Sequence, residues 1–139
     1  MKVIALAGAE NTGKSHTINI VYAFLIAQGY RQIPCHFRIL GNPVFEDVFD
    51  ILEKGGKKVG FVGMGDYVTG QGRSLKSLLE ELNQKGCDVA ICACRSITRI
   101  LADVQSYSVH HVVPKTPSMG RDNDRIVNVG DAQAMILHI

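Results

Sequence analysis

Residues 8–15, Gly8-Ala9-Glu10-Asn11-Thr12-Gly13-Lys14-Ser15, satisfy the phosphate-binding pattern G-x-x-x-x-G-K-[ST] at every fixed position. Four residues between the two glycines let the main chain curl, so that several N–H groups point inward as a nest for an anion. Gly8 permits a sharp exit from a preceding strand, and Gly13 lets the backbone approach phosphate without a Cβ in the way. Lys14 offers a mobile positive charge to the β- and γ-phosphates, and the Ser15 hydroxyl is a hard oxygen donor suited to Mg²⁺.

The flanks carry the periods this motif requires. Residues 1–7, MKVIALA, are a short apolar run suited to a buried strand. After the loop, Ile18, Val21, Tyr22 and Leu25 recur at helical spacing, and such a helix aims its positive end at the phosphates. The strand, turn and helix resemble the P-loop nucleoside triphosphatase superfamily. That resemblance implies a parallel sheet core, with a nucleoside triphosphate and Mg²⁺ as ligands. It implies a binding set of Gly8, Ala9, Glu10, Asn11, Thr12, Gly13, Lys14, Ser15 and His16, with Lys14 as a catalytic charge and Ser15 as a metal ligand.

Sites of this kind also need an acid at the C-terminal end of a neighbouring strand, to hold Mg²⁺ or its water. Asp66 follows the strand-like run KVGFVGMG and is the expected catalytic and metal-binding acid. Asp88 is the rival, but it falls at the beginning of its strand, on the opposite edge of a parallel sheet. In Ras-like GTPases the acid opens D-x-x-G-Q, whose Gln orients water; here Asp66 is separated from Gly70-Gln71 by one residue more. Their guanine-reading N-K-x-D element is absent, and Arg95-Ser96 follow the central strand instead. ATP is therefore the default ligand, with GTP as the alternative. Four glycines within residues 63–72 suit a loop that responds to the γ-phosphate.

Composition bounds the rest. A chain of 139 residues, 46% hydrophobic and 20% charged, is expected to form a single soluble domain over residues 1–139. A net charge of +2, with Lys54, Lys57 and Lys58 around Gly55-Gly56 as its one basic cluster, makes a nucleic-acid partner unlikely. The longest apolar stretch, residues 20–27, is too short to cross a membrane, so no membrane partner is expected. The apolar N-terminus runs straight into the loop and reads as a strand rather than a signal peptide, which points to a cytoplasmic location. The cysteines, Cys35, Cys87, Cys92 and Cys94, form no C-x-x-C pair, and Cys92 and Cys94 share one strand face as small hydrophobes.

Hydrophobic spacing predicts a helix with Leu75, Leu78, Leu79 and Leu82, capped by Ser74 and stopped at Gly86. A second, entered through Ser96, carries Ile97, Ile100, Leu101 and Val104, and a short closing helix starts at Asp131. Residues 47–53 and 58–64 are expected to pair antiparallel through Gly55-Gly56, residues 87–94 to form a central strand, and residues 108–114 another. Residues 31–42 read as loop with at most a short strand. Residues 115–125, KTPSMGRDNDR, read as a polar loop from which Arg121 or Arg125 could close over the phosphates. The predicted fold is α/β: a three-layer α/β/α P-loop-like domain, its mostly parallel sheet bearing one antiparallel edge strand. The hairpin ahead of the third strand looks like the Ras-like arrangement. The function so implied is Mg²⁺-dependent binding and hydrolysis of a nucleoside triphosphate, with possible switching toward an unidentified protein partner. The alternatives are a small-molecule or nucleotide kinase, and a nucleotide-dependent accessory protein with incidental turnover.

Overall fold

A computed structural model of the chain describes residues 1–41, 44, 47–64 and 74–139; Asp66 and Gln71 lie outside the described residues, as do the side chains of Arg121 and Asp122. The elements are β1 (Lys2–Gly8), α1 (Lys14–Ala27), β2 (Arg31–Gln32), β3 (Arg38–Ile39), β4 (Val48–Lys54), β5 (Lys57–Val62), α2 (Leu75–Gln84), β6 (Val89–Arg95), α3 (Thr98–Gln105), β7 (His110–Pro114) and α4 (Arg121–Ile136). The fold is α/β, with a mostly parallel mixed sheet of seven strands in the order β2-β4-β5-β6-β1-β7 and β3 also paired with β4.

β1 and β6 form the centre, parallel and in register from Lys2↔Val89 to Gly8↔Arg95. Both are buried on two faces, which is why their sequences run apolar without alternation. Val3, Ala5 and Ala7 of β1 and Ala90, Cys92 and Cys94 of β6 face α2 and α3. These side chains are small, leaving room for Leu75, Leu78, Leu79 and Leu82 of α2 and for Ile100 and Val104 of α3. Ile4, Leu6, Ile91 and Ala93 face the other way, against Ile18, Val21 and Leu25 of α1 and Ala132 and Met135 of α4. Burial pushes the Cys92 thiol well above its ordinary pKa and that of Cys87 up to about 11, as fits structural thiols.

Local signals hold at several positions. Ser74 caps α2, its hydroxyl oxygen accepting from the Ser77 N–H at 3.2 Å. Gly55 and Gly56 turn the β4–β5 hairpin with φ of 57° and 81°. Other expectations are corrected. The antiparallel part of the sheet is not one edge strand, because the short β2 and β3 lie along β4. α3 starts at Thr98, with extended Ile97 at its cap in place of Ser96. The closing helix is sixteen residues long and starts at Arg121, so Asp131 is inside it and Arg121 and Arg125 lie in its first turns rather than in a loop. Lastly, β6 stands between β1 and β5. The strand preceding Asp66 is therefore not the neighbour of the strand that feeds the loop, which departs from the expected Ras-like placement.

Candidate functional site

The loop after β1 emerges at the edge of the sheet where the parallel strands end. Asn11 and Gly13 both take left-handed backbone conformations, with φ of 54° and 87°. Gly13 is the N-cap of α1, and no side chain caps that end. The first-turn N–H groups of α1 have no intrahelical acceptor, so they open onto the loop together with the positive end of the helix dipole. Ala9, Glu10, Asn11 and His16 are exposed, whereas Lys14 is 7% exposed. Its side chain folds back across the curl, Nζ donating to the Ala9 carbonyl at 2.5 Å. Thr12 reinforces the turn, its hydroxyl donating to the same carbonyl at 2.8 Å.

Both motif glycines are required by close contacts. A Cβ on Gly8 would come 2.7 Å from Lys115 Cβ, and one on Gly13 would come 2.9 Å from Asn128 Oδ1. Both neighbours belong to the β7–α4 region, which backs the loop from beneath. Asn128 is buried, and the Thr17 hydroxyl lies 3.3 Å from its Oδ1 and 3.1 Å from the Gly13 carbonyl. Lys115, directly after β7, pairs with Asp131 of α4 at 2.9 Å, with side chains 1% and 7% exposed. Burial pushes the Asp131 carboxyl up; the Lys115 ammonium and two hydrogen bonds from Thr116 outweigh it and leave the group below its ordinary value.

The acid that reaches the loop is one that sequence reasoning missed. Asp47, 6% exposed and directly before β4, accepts a hydrogen bond from the Ser15 hydroxyl. An antiparallel strand begins at the edge where its parallel neighbours end, so the start of β4 can deliver an acid that a search of strand ends overlooks. The sequence signal was an Asp opening the strand-like run 47–53, and the strand itself starts one residue later, at Val48. Ser15 and Asp47 offer a hydroxyl and a carboxylate, a hard oxygen set that fits Mg²⁺. Asp88 sits at the opposite edge, where its Oδ2 accepts from the Lys58 N–H at 2.9 Å. Arg95, at the end of β6, lies beside the loop and pairs with Glu10 at 3.1 Å. Its place at the C-terminal end of a central strand puts it on the same edge of the sheet as the loop.

A shallow depression of about 480 Å³ lies at the other edge of the sheet, lined by Phe24, Tyr30, Lys54 and Ile136 among others. Its charged side chains are lysines, Lys54 and Lys57, of which Lys57 Nζ donates to the Ile139 main-chain oxygen at 2.8 Å. Among the described residues no helix is long and apolar enough to cross a membrane. No family model matches the chain, and neither a curated protein nor a solved structure does.

Proposed function

We propose that the chain binds a nucleoside triphosphate together with Mg²⁺ at residues 8–16 and hydrolyses it slowly, within the three-layer P-loop-like fold that its sequence suggests. The observation that carries this reading is the curl itself. Left-handed Asn11 and Gly13 turn the main chain around Lys14, whose ammonium spans the loop to the Ala9 carbonyl. An exposed backbone concavity with a positive helix end and a held ammonium favours a multiply charged oxyanion over other ligands. In the reaction the loop N–H groups and Lys14 hold the charge that develops on the transferring phosphoryl group, and water is the acceptor. The Ser15 hydroxyl would hold Mg²⁺, which when bound would supply neutralisation of the phosphate charge.

The test is a thermal-shift screen of the parent chain and Lys14→Ala against ATP, GTP and their diphosphates, with and without Mg²⁺. At a ligand concentration about 100 times Kd the parent gains about 2.7 kcal/mol, a shift of several degrees in a domain of this size. Lys14→Ala keeps its own melting transition and loses the ligand shift. Equal shifts in the two proteins would overturn the assignment. Phosphate release with no added acceptor separates hydrolysis from transfer to a metabolite.

A further inference from the structure

Resting on the nucleotide reading above, we propose that Asp47 completes the divalent-cation site: its carboxylate, with the Ser15 hydroxyl, holds the Mg²⁺ that accompanies the triphosphate. The two oxygens already face each other across a hydrogen bond. Adjacent ligands of an octahedral Mg²⁺, each at 2.0–2.1 Å from the ion, lie about 2.9 Å apart, so two oxygens in hydrogen-bond contact can both turn a lone pair to one cation while the hydroxyl keeps its proton. A charged second ligand also raises affinity well beyond what one neutral hydroxyl provides.

The backbone around Asp47 is held as a ligand position should be. Its carbonyl accepts from the Leu40 N–H at 2.7 Å, and the Val48 carbonyl accepts from the Gly63 N–H at 2.7 Å. A Cβ on Gly63 would come 2.7 Å from the Val48 nitrogen and 3.1 Å from Asp47 Cα. Glycine at 63 is thus what lets the exit of β5 close against the start of β4 and fix the acid over Ser15. β6, which neighbours β1 directly, ends in Arg95 and so presents a cation at that point.

The experiment is a Mg²⁺ titration of fluorescent ATP-analogue binding, run on the folded parent chain, Asp47→Asn, Asp66→Asn and Asp88→Asn. Asp47→Asn is expected to raise the Mg²⁺ midpoint roughly 10–100-fold while metal-free binding persists, and Asp88→Asn to leave it unchanged. A parent-like midpoint in Asp47→Asn overturns the inference, all the more so if Asp66→Asn shifts it instead. Should Asp47→Asn lose its fold, Asp47→Cys decides: a thiolate prefers a softer ion, so Cd²⁺ restores tight binding where Mg²⁺ does not. Absence of that rescue in folded Asp47→Cys, with the parent in Cd²⁺ as control, counts against Asp47. A parent chain that binds no triphosphate at any Mg²⁺ concentration removes the nucleotide reading itself, a result distinct from all of these.

Discussion

Gly13 and Gly56 share a left-handed backbone, with φ of 87° and 81°, and differ in everything around it. Nothing lies within 4 Å of a Cβ placed on Gly56, whereas at Gly13 the buried Asn128 amide stands in the way. Gly56→Ala is therefore expected to cost only the strain of the left-handed conformation, about 1–2 kcal/mol. Gly13→Ala adds a collision inside a packed region and is expected to cost roughly 1–3 kcal/mol more. Urea denaturation of the two variants measures the difference, and equal losses would show that Asn128 yields freely. The motif announced Gly13 as a phosphate-facing glycine, and that is half of its constraint. The other half comes from a residue 115 positions later that no local pattern connects to the loop.

Helix α4 shows why some elements are legible and others are not. Its inward stripe is Asn128, Asp131, Ala132 and Met135, at i, i+3, i+4 and i+7. Two of these four are polar, so an apolar-periodicity reading finds only the C-terminal half and takes Asp131 for a cap. α2, whose stripe is four leucines, was readable to within a residue at both ends. The polar positions in α4 are there because the helix backs the loop through Asn128 and anchors β7 through Asp131. Asp131→Ala leaves the Lys115 ammonium buried and uncompensated, and is expected to cost about 3–5 kcal/mol by chemical denaturation. Replacing both partners, Lys115→Met with Asp131→Leu, should recover most of that loss. A loss below about 1 kcal/mol for the single variant would mean that the pair is not desolvated in solution. Strand order was equally out of reach of local pattern, since hydrophobic runs specify strands but not which buried strand lies beside which. That ambiguity hid both the position of β6 and the acid that β4 brings to Ser15.

Across the whole molecule, each face of the sheet is tied by a carboxylate whose pKa is held down, so acid should loosen both. On one face Asp131 joins α4 to the segment after β7. On the other, Glu81 of α2 receives two hydrogen bonds from Arg38 of β3, at 2.9 and 2.6 Å, and a further one from Lys85. The Arg38 guanidinium, opposed by partial burial, brings the Glu81 carboxyl down to about 2. A folded-state pKa below the unfolded value of about 4.3 means that the stabilisation is fully present above that value and is lost as pH falls toward 2. The Arg38 and Glu81 side chains are 39% and 28% exposed, so solvent screening limits the contribution to about 1 kcal/mol. Glu81→Gln should thus be less stable than the parent by about that amount at pH 6, with the two curves drawing together below about pH 4 and meeting as pH falls through about 2. Urea denaturation at intervals between those limits follows the convergence. A gap that stays constant down to pH 2 would assign the loss to packing of the Glu81 side chain against α2 and β3, and not to its charge.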